Sequence, residues 1–464
     1  MEFRMSTLLQ SNNLLTAKKP VVVRGTYYVQ TWGCQMNEED SEQLGLYLQQ
    51  IGYRPASTLL EAQVVLLNTC SVRKKPEDKA FSLLGELDIL KRNRPDLIVG
   101  VCGCMAQIRS DEIRRRSPAV DFVLGTGQLE LVKSLVEEAS QRRKFQSRTQ
   151  LPQRKGAIVE EVPIRASERL PKLKAFIPIQ YGCDKFCSFC IVPTTRGRER
   201  SRASHDIVAE VESLVANGTR EVTLLGQTVN SYGKNMPEGK LPFSALLNRL
   251  SEIPQLARIR YTSPYPRDFK SDLIACIRDN DKVMEHCHMP LQAGHDDLLQ
   301  RMKRQYTVEG FLKIVRELRE AVPHLGLTTD VIVGFPGETD EEFEGTLEVI
   351  RKVRFDGGFM FAYSPRPGTP AAELEQLPQN IKKERLQRLI DLQRVITLEI
   401  NESLVGQVFE VLVEGLSPKN PRLLQGYSRE FRMMHFAGGE QRIGRLAQVR
   451  ATKAHPWGLS GELV

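Results

Sequence analysis

Six of the nine cysteines in this chain stand just beyond a predicted β-strand, in two sets of three. Cys34, Cys70 and Cys104 are 36 and 34 residues apart, each gap about one strand-helix unit. In an open parallel sheet, ligands gather outside the carboxyl ends of the strands, so thiols distant in sequence can converge there. Three buried core thiols are the competing reading, although a core sets residues within strands rather than repeatedly at one end. The second set, Cys183, Cys187 and Cys190, lies in the single run Tyr181-Gly-Cys-Asp-Lys-Phe-Cys-Ser-Phe-Cys-Ile191. Three thiolates are one short of a closed structural zinc shell and of a ferredoxin cluster with a cysteine on every iron. A four-iron cluster held this way keeps one iron open to a small molecule. On spacing alone, zinc or disulfide chemistry stays as the alternative.

The surrounding strand-helix alternation sets the fold class as α/β. Strands at Tyr27–Thr31, Gln63–Leu67 and Leu97–Val101 alternate with helices at Glu38–Gln50, capped by Asn37, and at Glu77–Lys91, with Pro76 in its first turn. Further helices fall near Asp111–Arg116 and Leu129–Ala139. The pattern predicts an N-terminal open parallel α/β sheet domain over 24–140. Residues 1–23 read as a loose leader. Residues 141–168 read as a basic linker carrying Arg142, Arg143, Lys144, Arg148, Arg154 and Lys155. Over 169–402, strands near Ile177–Tyr181, Glu221–Leu225, Arg258–Tyr261, His288–Leu291, Leu327–Val333 and Gly358–Tyr363 predict a central partial (β/α)6 barrel. Its first strand delivers the cysteine clamp to the carboxyl rim, where barrel enzymes keep their chemistry. Residues 403–464 change to short alternations at Phe409–Val413, Leu423–Tyr427, Phe431–His435 and Leu446–Thr452, a small β-barrel. There Arg422, Arg429, Arg432, Arg442, Arg445, Arg450 and Lys453 are interleaved with Tyr427, Phe431 and Phe436, a mixture that suits RNA. A charged barrel with its rings in the core fits equally well.

With 464 residues, 41% hydrophobic and 26% charged, the chain can fill about three cores. No window has the eighteen or so apolar residues of a membrane span, and no export signal is visible. The expectation is a cytoplasmic protein with metal-bound thiols and no membrane contact. A net charge of +8 permits a polyanionic partner.

Taken in order, several segments resemble the methylthiotransferases of the radical S-adenosylmethionine class. They are Thr31-Trp-Gly-Cys-Gln-Met-Asn37, Asn68-Thr-Cys-Ser-Val-Arg73, Gly103-Cys-Met-Ala-Gln107, the clamp through Arg202 and Thr223-Leu-Leu-Gly-Gln227. Next come His288-Met-Pro-Leu-Gln-Ala-Gly294, Asp330-Val-Ile-Val-Gly-Phe-Pro-Gly-Glu-Thr339 and Tyr363-Ser-Pro-Arg-Pro-Gly-Thr-Pro370. The likeness runs from about residue 24 to the C-terminus, whose small barrel resembles an RNA-binding TRAM domain.

The resemblance implies two 4Fe-4S clusters and S-adenosyl-L-methionine. Cys183, Cys187 and Cys190 would hold the cluster that reduces S-adenosylmethionine to a 5'-deoxyadenosyl radical. Cys34, Cys70 and Cys104 would hold an auxiliary cluster bearing the sulfur to be inserted. One S-adenosylmethionine would methylate that sulfur, and a second would supply the radical that takes hydrogen from adenine C2. Phe189, Gly226, Gln227, Gln292, Val333 and Tyr363 would line the S-adenosylmethionine pocket. Arg196, Arg198, Arg200 and Arg202 would meet that cofactor or RNA phosphates, or form surface salt bridges with Glu199. The Asn68–Ala80 segment and the Arg196–Arg202 run resemble the branch that acts on N6-isopentenyladenosine at position 37 of tRNA, giving 2-methylthio-N6-isopentenyladenosine. Other branches act on threonylcarbamoyladenosine or on a ribosomal-protein aspartate, and a non-catalytic RNA-binding cluster carrier is the remaining reading. Implied partners are a tRNA anticodon stem-loop, an electron donor such as flavodoxin or ferredoxin, and a sulfur donor or cluster-repair protein. Cys102, Cys276 and Cys287 read as core thiols, although Cys102 beside Cys104 leaves the ligand choice open. His286 and His288 read as strand residues.

Overall fold

In the computed structural model, which describes residues 23–71, 74–142, 144–152, 171–236 and 241–464 with positions 154, 155, 158, 159, 165 and 169, the first third of the chain is a six-stranded sheet. Its elements are β1 (Gly25–Trp32), α1 (Gln35–Gln50), β2 (Tyr53–Pro55), β3 (Val64–Thr69), α2 (Lys74–Asn93), β4 (Ile98–Gly103), α3 (Cys104–Arg116), β5 (Phe122–Leu124), α4 (Val132–Gln141) and β6 (Gln146–Arg148). The order is β2-β1-β3-β4-β5-β6, with every pair parallel. A parallel strand covered on both faces must be apolar on both, and β3 is. Val64 and Leu66 pack with α1 and α4, while Val65 and Leu67 pack with α2 and α3. β2, β5 and β6 have three residues each, too few for a periodic signal. β6 lies within the stretch expected to be linker and pairs with β5 as the sheet's edge. All but the last residue of the expected leader, and most of residues 153–170, lie outside the described residues.

After a short hairpin, β7 (Arg154–Lys155) and β8 (Ile158–Val159), the barrel begins. It comprises β9 (Lys174–Pro178), β10 (Gln180–Tyr181), α5 (Val192–Arg196), β11 (Arg200–Ser201), α6 (Ser204–Ala216), β12 (Glu221–Leu225), α7 (Phe243–Ser251), β13 (Arg258–Tyr261) and α8 (Ser271–Asp279). It continues through β14 (His286–His288), α9 (Asp296–Arg301), α10 (Val308–Ala321), β15 (Gly326–Val333), α11 (Asp340–Val353) and β16 (Gly357–Ala362). Parallel triplets β9-β12-β13 and β14-β15-β16 are joined by the Ile259↔Val283 bridge. Among the described residues β9 and β16 do not pair, so the six-stranded barrel is open along that seam. The strand expected at His288–Leu291 ends at His288. Beyond it the backbone turns through Gln292, whose φ is 66° and whose N–H and C=O bridge to Asp330 and Ile332.

The helix α12 (Gln379–Ser403) leads to β17 (Val408–Ser417), β18 (Asn420–Ser428), β19 (Met433–Ala437), β20 (Leu446–His455) and β21 (Gly458–Leu463). They close as β17-β18-β19-β21-β20 around Val411, Leu424, Phe436 and Leu459. The strand expected from Phe431 starts at Met433, because Phe431 occupies a turn (φ 68°). Its ring stacks on Tyr427 (centroids 4.4 Å apart) and on His286 at the amino end of β14 (4.6 Å). Arg429 pairs with Glu285 and Arg432 with Asp356, both at 2.7 Å. The small barrel thus docks on the amino ends of the large barrel's strands. Phe436 is core, while Tyr427 and Phe431 serve this docking, with 39% of Phe431 still exposed. Among the described residues no helix is long and apolar enough to cross a membrane.

Candidate functional site

Trp32, Thr69 and Gly103 lie side by side in register, so Cys34, Cys70 and Cys104 leave the sheet together at its carboxyl edge. The expected N-cap, Asn37, is instead inside α1, which begins at Gln35. Its side chain is otherwise engaged: Nδ2 donates to Asn68 Oδ1 (3.2 Å) and Thr69 O (3.3 Å), and Oδ1 accepts from Cys34 Sγ (3.4 Å). One amide therefore ties the Cys34 loop to the Cys70 loop. Gly103 (φ +90°) admits this packing, since a Cβ there would stand 2.3 Å from Asn68 Oδ1. Burial pushes the Cys104 thiol up, opposed by the Arg196 guanidinium and reinforced by Cys34. Cys102 is fully buried in the sheet's core with Leu66 and Phe122, and Cys276 and Cys287 are buried in the barrel's core.

The clamp follows β10. Gly182 turns the chain at φ +70°, where a Cβ would meet the Arg198 carbonyl oxygen at 2.2 Å. Cys183 N–H donates to Gly197 O (3.2 Å), Ser188 N–H to Met302 O (3.1 Å), and Cys190 N–H to Cys187 O (3.0 Å). Burial, reinforced by Cys187, lifts the Cys183 thiol to about 11 and the Cys190 thiol to about 12. Arg304, held between the rings of Tyr265 and Tyr306 (4.6 and 5.1 Å), donates Nη1 to Cys187 Sγ at 3.3 Å. An all-sulfur donor set, desolvated and faced by a buried guanidinium, suits the soft ligation of an iron-sulfur cluster. Three sulfurs also fall short of closing a zinc shell.

The two cysteine sets face each other. Arg196, at the end of α5 and six residues past the clamp, donates to Asp40 of α1 at 2.7 Å, with both side chains nearly inaccessible (4% and 3% exposed). Thr126 Oγ1 donates to Thr195 O. Met36 packs with Tyr181 and Leu225, and Cys34 lies partly against them. On the other side of the seam, Arg366, after β16, is 3.8 Å from Glu77, and its charge reaches Cys70. The carboxyl edge of the sheet therefore covers the carboxyl rim of the barrel.

Phe189 and Tyr363 pack with Phe335 and Ala371 beside the clamp, and Tyr363 N–H donates to Val333 O (2.8 Å). Gln292 is buried on the same side. Gly226 and the half-buried Gln227 lie across the rim after β12, next to Gln180, whose fully buried amide has no hydrogen-bond partner among the described residues. Three members of the arginine run pair with acids other than Glu199. Arg196 takes Asp40, Arg198 takes Asp184 (2.6 Å) and Arg202 takes Glu210 (2.8 Å). Glu199 accepts from Thr228 Oγ1 and Asn235 Nδ2, both at 3.0 Å, and burial raises its carboxyl to about 7. Arg304, Asn37 and Asp40 were not singled out from sequence as site residues. Their partners are 117, 31 and 156 residues away, and no local pattern signals such pairs.

Models of three families match the chain: the uncharacterised protein family UPF0004 over 26–125, the radical SAM superfamily over 177–350 and the TRAM domain over 402–464. Among solved structures, the radical S-adenosylmethionine methyltransferase TsrM from Kitasatospora setae is similar in fold (TM-score 0.51, 15% identity, covering 84% of this chain and 81% of that one). A protein from Moorella thermoacetica named tRNA-2-methylthio-N(6)-dimethylallyladenosine synthase is 47% identical over 96% of this chain and 99% of its own length. The Geobacillus kaustophilus protein of the same name is 45% identical over 94% and 82%. Identity of this extent, across the sheet, the barrel and the small barrel alike, makes the chain a member of the tRNA-2-methylthio-N(6)-dimethylallyladenosine synthase family of radical SAM proteins.

Proposed function

We propose that this protein is a cytoplasmic tRNA methylthiotransferase, replacing the C2 hydrogen of N6-isopentenyladenosine at position 37 with a methylthio group. The observation that carries the reading is the pair of three-cysteine sets on facing carboxyl edges, within a chain that matches synthases of this name along nearly its full length. Cys183, Cys187 and Cys190 would hold one 4Fe-4S cluster and Cys34, Cys70 and Cys104 the other. When bound, these clusters and S-adenosylmethionine supply the one-electron and sulfur chemistry that an unactivated C2–H bond demands.

The chain's own residues do the rest. Gly182 and the Ser188 contacts fix the clamp. Arg304 directs a cation at Cys187, and Arg196 directs one at Cys34 and Cys104. Arg304 thereby opposes the rise that burial imposes on the Cys190 thiol, and Arg196 opposes it at Cys104. Phe189, Gly226, Gln227, Gln292, Val333 and Tyr363 would line the S-adenosylmethionine pocket, and Gln180's unpartnered amide points to a polar ligand group there. The substrate would be an anticodon stem-loop already carrying the isopentenyl group. Electrons would come from a flavodoxin or ferredoxin, and sulfur from a donor or cluster-repair protein.

Nucleoside analysis of tRNA from cells lacking the protein tests the reading. Loss of the methylthio group with the isopentenyl group retained is the expected result. An unchanged tRNA profile with an unmodified ribosomal aspartate, or loss confined to threonylcarbamoyladenosine, would overturn it.

A further inference from the structure

Beside the barrel's open seam, β15 and β16 present a shared inward face that mixes aromatic, aliphatic and polar side chains. Along β15 the buried residues Val331 and Val333 face the helices, and the half-buried Thr328, Asp330 and Ile332 face inward. Register aligns Asp330 with Phe359 and Ile332 with Phe361 on β16, so both rings share that inward face. Two contacts agree: His288 Nε2 is 3.3 Å from Asp330, and its ring meets Phe359 edge-on with centroids 6.0 Å apart. Phe359 nevertheless remains 60% exposed in the middle of a strand. This one large ring stands in solvent beside the candidate pocket, where a bound apolar group would cover it.

We propose that Phe359, with Phe361 and Ile332, forms the wall that receives the branched five-carbon N6 substituent of the substrate adenosine, and so selects prenylated tRNA. This rests on the function proposed above. The surface is continuous with the candidate pocket: Ile332 packs in the same cluster as Phe189 and Tyr363. Phe361 lies two residues from Tyr363 and Phe359 four, about 7 and 13 Å down the strand. A purine whose C2 lies at the rim would therefore direct its N6 group into the lumen. The chemistry of the wall chooses among substituents. Asp330 stands on it between Thr328 and Ile332, and a carboxylate-bearing group such as threonylcarbamoyl would meet a like charge there.

The test is equilibrium binding of the holoenzyme to two synthetic anticodon stem-loops, identical except for the isopentenyl group, for the wild type and for Phe359→Ala, Phe359→Leu and Phe359→Asp. The wild type should prefer the prenylated RNA, and Phe359→Ala should cut that preference by about tenfold. Phe359→Leu should keep most of it and Phe359→Asp should abolish it, with iron content unchanged in all three. Because the ring is largely exposed, its loss does not threaten folding. Equal affinity of the wild type for both RNAs, or an unaltered preference in Phe359→Ala and Phe359→Asp, overturns the proposal. If the wild type still makes the methylthio product in either case, only this inference fails; if it makes none, the functional reading fails with it.

Discussion

Removing Arg196 should damage the protein without touching a cysteine. Its pair with Asp40 spans the two halves of the site at 2.7 Å, with 4% and 3% of the side chains exposed. An exposed pair would contribute about 0.2–1 kcal/mol. Removing one member of a buried pair strands the other charge and costs about 3–5 kcal/mol. Arg196→Met should therefore destabilise the cluster-free protein by about that amount, leaving Asp40 buried against an apolar neighbour. Asp40→Asn should do the same from the other side, leaving a cation beside Cys34 and Cys104. The double variant carries neither charge, so it should be more stable than the sum of the two losses predicts, by roughly 2–3 kcal/mol. Urea unfolding followed by tryptophan fluorescence reads this. The chain has two tryptophans, Trp457 is 78% exposed, and Trp457→Phe leaves Trp32 on β1 as the reporter of the sheet that Asp40 anchors. Single variants within about 0.5 kcal/mol of the parent, or strictly additive losses, would refute the idea that this pair holds the two halves together.

Other consequences follow the same logic. Replacing Cys34, Cys70 and Cys104 together, or Cys183, Cys187 and Cys190 together, should each lower reconstituted iron from about eight to about four per chain; a set whose loss leaves iron unchanged is not a ligand set. Gly182→Ala introduces a Cβ 2.2 Å from a backbone oxygen at φ +70° and should empty the clamp while sparing the other centre, read as the same halving of iron. Glu199, with its carboxyl raised to about 7 by burial, stays protonated in the folded chain where the unfolded chain ionises. Its contribution to stability is full below the ordinary carboxyl range and fades as pH rises to about 7. The urea midpoint of the cluster-free protein should fall across that window relative to Glu199→Gln, and parallel profiles would contradict the assignment. Phe431→Ala removes the ring between Tyr427 and His286 and should loosen the small barrel by about 1–3 kcal/mol, seen as faster proteolysis between α12 and β17.

The long strands and the placement of six cysteines just past carboxyl strand ends were legible because each signal is local: an apolar run, then a thiol at its end. The three-residue strands β2, β5 and β6 were not, because three residues cannot display a period. The small barrel's rings were ambiguous for a different reason. Tyr427 and Phe431 alternate with cations as RNA-binding residues do, yet their partners are His286 and the amino ends of barrel strands far away in the chain. Asn37 preceded an apolar helix as an N-cap would, but Asn68 and Thr69 offered its amide partners that a solvent-exposed cap lacks.

The arginine run shows why site chemistry resists local reading. Arg196, Arg198 and Arg202 look alike in sequence, yet one crosses to the sheet, one pairs within the clamp and one braces α6. What separates them is which elements close over them. A parallel sheet has a single carboxyl edge, and an isolated loop there cannot bury a ligand. Facing one such edge to another buries both, with contacts on either side of the barrel's open seam. Arg196–Asp40 on one side and Arg366–Glu77 on the other are those contacts. Each joins charges whose isolated burial would be prohibitive. The cysteine sets could thus be found separately in the sequence, but their apposition depends on long-range pairs that only the fold brings together.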